Sequence, residues 1–361
     1  MSIKYKNNGT WVEAPVNVIQ KTDIPEEALT ISGECDYRFA YGGWNWFIEK
    51  YGDQIITKDI TACNYMFAYN KTLTSVPFDI NCNVTNSVTT LYMFYYCNEL
   101  TDIPKIAVKP TNMQYMFYGC YKLRNLPEDI ATWFDWSYLE SSTSGYNNAS
   151  NLFESCFSLR SIPMDFLSHF GKNTNYNYTN FKSGFRYCYA LDELVGLPLP
   201  YTATWTSNAF SDTFDNCSRL KNLTFALDPE TNAPYVRNWK SQTIDLSDRV
   251  GYADYNTYII DYNSGITADK RVQTENEYQS LKNDPDWFTT DYKYSRYNHD
   301  SAVATINSLP DTSAYLAANG GTNTIKFKGT SGSATDGGAI NTLTAEEIAV
   351  ATAKGWTVTF A

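Results

Sequence analysis

Between residues 63 and 223 the apolar positions fall into a frame that advances by threes. Phenylalanine anchors it at Phe67, Phe94, Phe117, Phe153, Phe185 and Phe214. Three residues on stand Asn70, Cys97, Cys120, Cys156, Cys188 and Cys217. Three further stand Leu73, Leu100, Leu123, Leu159, Leu191 and Leu220, and three beyond those Val76, Ile103, Leu126, Ile162, Leu194 and Leu223. Proline follows directly at Pro77, Pro104, Pro127 and Pro163. An earlier, degenerate copy aligns "CDYRFAYG" at 35 on "CNYMFAYN" at 63 and puts Phe39 in the anchor position. Successive anchors lie 28, 27, 23, 36, 32 and 29 residues apart. Periods of this length mark units that bury their apolar faces only by stacking on one another.

The spacing predicts what each unit contains. Around Phe117, Met113, Met116 and Cys120 sit at offsets −4, −1 and +3, one face of a short helix at 100° per residue. Offsets −2, +1 and +2 fall on the opposite face, and there stand Tyr65, Tyr69, Tyr92, Tyr95, Tyr96, Tyr115, Tyr118 and Tyr187. The Leu-x-x-Leu/Ile-Pro that follows reads as a short extended segment, ended where proline removes a ladder donor. The expected fold is therefore an α/β solenoid of short helix plus short strand, with a parallel sheet on one side and insertions between coils. The frame places Cys97, Cys120, Cys156, Cys188 and Cys217 inward beside the anchors, as small buried hydrophobes. No C-x-x-C pair occurs and there are only 2 histidines, so no metal-ligand set is expected. The cysteine count, 8, is even, and disulfides between neighbouring coils stay open as the alternative.

Four regions follow. Residues 1–22 carry no frame and contain "NNG" beside the strand-like "TWVEAPV"; they read as an attachment arm. Residues 23–225 are the repeats. Their largest insertion, 128–150, reads as a projecting loop bearing Trp133, Trp136 and Tyr138. Residues 226–300 are Tyr/Asp-rich divergent coils or an insertion. Residues 301–361 read as helix–Gly–strand coils ending in a cap. There Thr344 and Glu347 fit a capping box, Gly355 fits the position just past a helix, and Trp356 to Phe360 fits a strand. "SQTIDLSD" at 241 looks like an earlier copy of that strand.

Composition narrows the chemistry. The formal net charge is −11 and no basic tract is present, so phosphate would be repelled and nucleic acid is not an expected partner. No stretch of about twenty apolar residues would insert into a membrane. The opening lacks an apolar signal region, so residence inside a cell or release within a particle is expected. His169 and His299 stand in no nucleophile–base pattern and read as surface or capping residues. Nothing singles out a carboxylate pair, and "GTSGSATDGG" at 329 lacks the lysine of a phosphate loop. No catalytic residue and no cofactor is expected. The 29 tyrosines are the unusual feature. If their face is open, Tyr95, Tyr118, Trp133, Trp136 and Tyr138 offer rings with polar tips to a ligand. If neighbouring coils or the 128–150 insertion cover it, they are packing.

The string Met-Phe-x-x-Cys-x-x-Leu-x-x-Leu/Ile-Pro resembles the BspA-like leucine-rich-repeat proteins, bacterial surface and adhesin-type molecules. The ending "LTAEEIAVATAKGWTV" is similar to their last coil. The resemblance implies adhesion, with protein or glycan as partner and no catalytic residues. The opening "KYKNNGTWVEAPV" is similar to N-terminal segments of phage fibre and decoration proteins. Together these imply a virion structural protein, at a fibre tip or as capsid or tail decoration. It would be held to other virion proteins by its arm and would recognise a host surface, with homo-oligomers in keeping. The alternative is a bacterial cell-surface adhesin.

Overall fold

The anchor phenylalanines form one stack. Centroid separations along Phe39, Phe67, Phe94, Phe117, Phe153, Phe185 and Phe214 are 5.3, 5.2, 5.7, 5.5, 6.2 and 6.1 Å, with the rings close to parallel. The computed structural model describes residues 29–83, 85–141, 149–170, 181–199, 209–217, 220, 222–247, 299–327 and 343–360, and the backbone of 3–7 and 10–14. In chain order its elements are strands β1 (Ile3–Asn7), β2 (Thr10–Ala14) and β3 (Thr30–Glu34), helix α1 (Asn45–Tyr51), and strands β4 (Ile56–Ala62), β5 (Ile80–Asn81) and β6 (Ile106–Ala107). Helices α2 (Ser137–Ser141) and α3 (Met164–Ser168) and strands β7 (Glu193–Leu197), β8 (Asn222–Phe225) and β9 (Thr243–Leu246) follow. The chain closes with α4 (His299–Ser308), α5 (Ser313–Asn319), β10 (Asn323–Phe327), α6 (Ala345–Ala353) and β11 (Trp356–Phe360). No helix among the described residues is long and apolar enough to cross a membrane.

The segment around each anchor differs from the short helix its spacing predicts. It is a run of overlapping β-turns. In the unit at Phe67, the amides of Met66, Ala68 and Asn70 bond back three residues, to Cys63, Tyr65 and Phe67. The alternate amides leave the unit: Tyr65, Phe67 and Tyr69 donate to the carbonyls of Leu91, Met93 and Tyr95 in the next one. The anchor bond recurs as Phe39→Met66, Phe67→Met93, Phe94→Met116, Phe117→Leu152, Phe153→Gly184 and Phe185→Thr213, at 2.7 to 3.1 Å. A helix would keep those amides for itself. Turning them outward requires positive φ at offsets −2 and +2, as in Tyr65 (55°), Tyr69 (59°), Tyr92 (58°) and Tyr96 (56°). Each such residue other than glycine costs on the order of 1 kcal/mol or more. The inter-unit bonds and ring stacking offset that cost.

The frame answers why cysteine recurs. Each of the five frame cysteine thiols donates to the carbonyl of the preceding unit's anchor: Cys97 to Phe67 (3.1 Å), Cys120 to Phe94 (3.3 Å), Cys156 to Phe117 (3.0 Å), Cys188 to Phe153 (3.1 Å) and Cys217 to Phe185 (3.1 Å). Asn70 fills the same position and its side-chain amide makes the same bond, to Phe39 at 3.3 Å. The slot wants a small side chain with one donor. All eight cysteines are buried and free, and burial pushes the Cys97, Cys120, Cys156 and Cys188 thiols well above their ordinary range. A thiol reagent should therefore find almost nothing in the native protein and eight groups after denaturation without reductant. A denatured count near zero would establish disulfides instead.

The extended segments also differ from one continuous sheet. The strands form separate parallel pairs, β3–β4, β5–β6 and β7–β8; the single bridge Ile60↔Cys82 links the first two, and Val108↔Phe134 reaches from the end of β6 to the 128–150 insertion. The first two pairs precede the turns, where the spacing gave no strand. After the turns, only the last two units form strands, β7 and β8. Those are the units without the proline: Val195 and Thr224 stand where Pro77, Pro104, Pro127 and Pro163 remove a donor. The 128–150 insertion is not a projecting loop over its described part. Ile130, Trp133, Phe134, Trp136 and Leu139 are buried, and Phe134 bridges to Val108.

Past residue 225, β9, β10 and β11 make a parallel sheet with β10 central. Thr344 and Glu347 close a reciprocal capping box on α6, and Gly355 follows that helix at φ 83°. α4 locks this region to the last repeat: Thr305 donates to the Leu223 carbonyl, and Ser308 accepts from the Phe225 amide. One apolar cluster runs from Ile31 to Trp356. At the start, β1 and β2 pair antiparallel with Asn7 opposite Thr10, leaving Asn8 and Gly9 between them. The rest of 1–22, and most of 226–300, lie outside the described residues.

His299 joins α4 to α6. Its ring nitrogens face Asp300 at 3.2 Å and Glu347 at 3.1 Å, and these bonds raise its pKa above 6.5. Glu347 is held below 4.5 by the Thr344 amide and then by His299. The histidine's contribution is complete below its unfolded pKa and is lost as pH rises through the raised one. The glutamate's is complete above 4.5 and is lost as pH falls. The link is thus strongest between roughly pH 5 and 6. His299→Gln should lower Tm more at pH 5.5 than at pH 8; an equal loss at both would refute the link.

Candidate functional site

The turn geometry places offset −2, +1 and +2 side chains on the outer face in three parallel columns. At −2, Tyr37, Tyr65, Tyr92 and Tyr115 stack face to face at 4.6, 4.5 and 4.6 Å. At +2, Tyr41, Tyr69 and Tyr96 stack at 5.2 and 6.0 Å, and the column ends at Gly119 (φ 73°), where a Cβ would come within 2.9 Å of the Tyr96 ring. Between them, Tyr95 sits edge-on to Tyr69, Tyr92 and Tyr96, and Tyr118 tilts against Tyr95 at 4.9 Å. Tyr41 is 68% exposed, Tyr37 49% and Tyr69 36%; the others are half-buried. Burial raises the Tyr95 and Tyr118 hydroxyls far above their ordinary value, and that of Tyr65 to about 12. All three stay protonated donors at neutral pH.

Stacking decides what this face can offer. Each ring inside a column spends its faces on its neighbours, so it presents an edge and a hydroxyl. Within the described columns, open ring faces stand at the N-terminal end, at Tyr37 and Tyr41. The face thus presents open rings at one end and is packing along its length.

Beyond Tyr118 the columns turn polar. Offset +1 holds Glu154, Arg186 and Asp215; offset −2 holds Asn151, Ser183 and Asp212; offset +2 holds Ser155, Tyr187 and Asn216. The Arg186 guanidinium lies 3.6 Å from Glu154, 3.8 Å from Asp215 and 4.7 Å from the Tyr187 ring centre. Glu154 is buried, which raises its pKa against the pull of Asn151 and Arg186. The sequence carried this strip in the same offsets that marked the tyrosines, but the residue types change, and only the tyrosines drew notice.

Of the residues expected at the site, Tyr95 and Tyr118 share the tyrosine face. Trp133 and Trp136 do not join them. They are 9% and 6% exposed, and their indole N–H groups donate to Asp129 (3.1 Å) and to the Ala131 carbonyl (2.7 Å). Both belong to the core, so neither offers a ring to a ligand. Trp136 stacks flat on His169 at 4.3 Å, and His169 Nδ1 meets Glu140 at 2.6 Å. Tyr138, half-buried on α2, sits two residues from Trp136 and outside the columns. Among the described residues no group of three or more His, Cys, Asp or Glu side chains is placed to hold a metal ion. No protein-family model, no curated protein and no solved structure matches this chain.

Proposed function

We propose that this protein is a non-catalytic recognition component of a virion, a fibre tip or capsid or tail decoration built as an α/β solenoid. It binds a host cell-surface glycan or protein through its outer tyrosine face. The observation that carries this reading is the exposed end of that face: Tyr37, Tyr41 and Tyr69 stand open beside half-buried tyrosines and a polar strip. Such surfaces hold partners rather than transform them. Single contacts of this kind are worth on the order of 0.5–1.5 kcal/mol, so useful adhesion comes from many copies acting together. Residues 1–22 would attach each copy to the particle. The cysteine–leucine frame itself favours the second reading, a bacterial surface adhesin, and mass spectrometry of purified particles separates the two.

The direct test is adsorption of fluorescent protein, made multivalent, to candidate bacterial cells. Saturable adsorption that is lost after periodate treatment of the cells indicates a glycan, and loss after protease a protein. Absence of saturable adsorption to any cell would overturn the reading.

A further inference from the structure

We infer that the groove beside α1, at the N-terminal end of the repeats and with Trp46 on its rim, is a binding site for a neutral saccharide. The inference rests on the recognition role proposed above and names the ligand class and the place.

Exposed aromatic rings concentrate here. Tyr37, Tyr41, Trp46 and Tyr69 are four of the five aromatic side chains that are substantially exposed among the described residues; the fifth is Phe360. Beside α1, the helix that carries Trp46, lies a groove of about 350 Å³, within the size range of small-molecule sites. Its polar walls are Asn45, Glu49, Asp53, Thr72, Thr74 and Ser75. Ile48, Leu73 and Pro77 give it a small apolar floor.

Hydrogen bonds brace α1 against the next unit: Asn45 donates to the side chains of Asn70 and Thr72, both at 2.8 Å, and Asn70 donates back to Asn45. Trp46 leaves the same exposed arc of α1 as Asn45, Glu49 and Lys50. The far wall is fixed as well: a Cβ at Gly52 would strike the Pro77 ring at 2.2 Å, so the end of α1 closes directly onto the proline. The groove is held open before any ligand arrives, which lowers the ordering cost of binding.

The donor set selects the ligand. Two carboxylates and three hydroxyls suit a molecule that both donates and accepts around its rim, as hydroxyl-rich rings do. The exposed Trp46 indole, one helical turn from Glu49 and Lys50, suits the C–H face of a pyranose. Glu49 and Asp53 outnumber Lys50, so a neutral sugar is favoured over an acidic one. The floor is too small to anchor a bulky apolar side chain of a peptide.

The test titrates the full chain with soluble gluco-, galacto-, manno- and N-acetylglucosamine oligosaccharides, with a sialylated trisaccharide as the acidic probe, and follows tryptophan fluorescence. At least one neutral series should bind saturably and better than the acidic probe. Trp46→Ala and Glu49→Gln, both at exposed positions, should each weaken it about tenfold with Tm unchanged. No saturable binding of any neutral sugar, a preference for the acidic probe, or unchanged affinity in both variants would overturn the inference. If the multivalent protein still adsorbs to cells in that case, the recognition role stands and only the groove is wrong; if adsorption is absent too, both fail.

Discussion

Phe117→Ala should destabilise the protein by roughly 3–5 kcal/mol, the range for truncating a fully buried aromatic. The Phe117 ring has no exposure and lies between Phe94 at 5.7 Å and Phe153 at 5.5 Å. Its removal interrupts the stack in the middle, where neither neighbouring ring can close the gap without breaking its own anchor bond to the next unit. Met116 and Cys120, both buried, line the same space. The check is the midpoint of chemical denaturation. Phe117→Leu, which refills most of the space, should lose clearly less than the alanine variant. A loss below about 1 kcal/mol in Phe117→Ala, as surface substitutions give, would remove the frame as the source of stability.

Trp356→Ala should cost a similar 3–5 kcal/mol, but for a different region. Trp356 opens β11, opposite Asn323 of β10. Its ring meets Trp239 edge-on at 6.2 Å, and Trp239 lies 5.2 Å from Phe210 of the last repeat. This chain of rings carries the core from the repeats into the closing sheet. The indole N–H also donates to the Pro310 carbonyl at 2.9 Å. Trp356→Phe keeps a ring and loses that bond, so it should cost less than alanine by several-fold. Limited proteolysis should then cut Trp356→Ala in the closing region before the repeats. Simultaneous cleavage everywhere would mean the two regions unfold as one.

The repeat was legible because burial alone sets its period. Phe, Cys (Asn70 in one unit), Leu and then Val, Ile or Leu fill the same slots from unit to unit, and all six positions of each column are buried. The closing helix was legible through Thr344, Glu347 and Gly355, whose backbone roles are local. The turns were not legible. Offsets −4, −1 and +3 point inward on a helix and in overlapping turns alike, so the apolar pattern does not separate them. The separating signal is the residue at positive φ. Tyrosine gives no hint of it, but Gly119, Asn151, Asp212 and Asn216 stand in those same positions and do. Trp133 and Trp136 were misplaced because an insertion between repeats was read as a loop. Ile130, Trp133, Trp136 and Leu139 advance by threes, and that spacing belongs to a buried face.

The central claim is that the outer tyrosines recognise a partner while the inner frame supplies the fold. Later units suggest a substitution that leaves the backbone intact: Asn151 and Asn216 occupy offsets −2 and +2 at φ 56° and 59°. The triple variant Tyr37→Asn, Tyr41→Asn, Tyr69→Asn should therefore keep the turns, lowering Tm by only a few degrees through lost stacking. Adsorption of the multivalent variant to the host cell that the parent protein binds is the measurement that matters most. Loss of adsorption with cooperative unfolding preserved is the predicted result. Adsorption equal to the parent's, in a folded triple variant, would contradict the account.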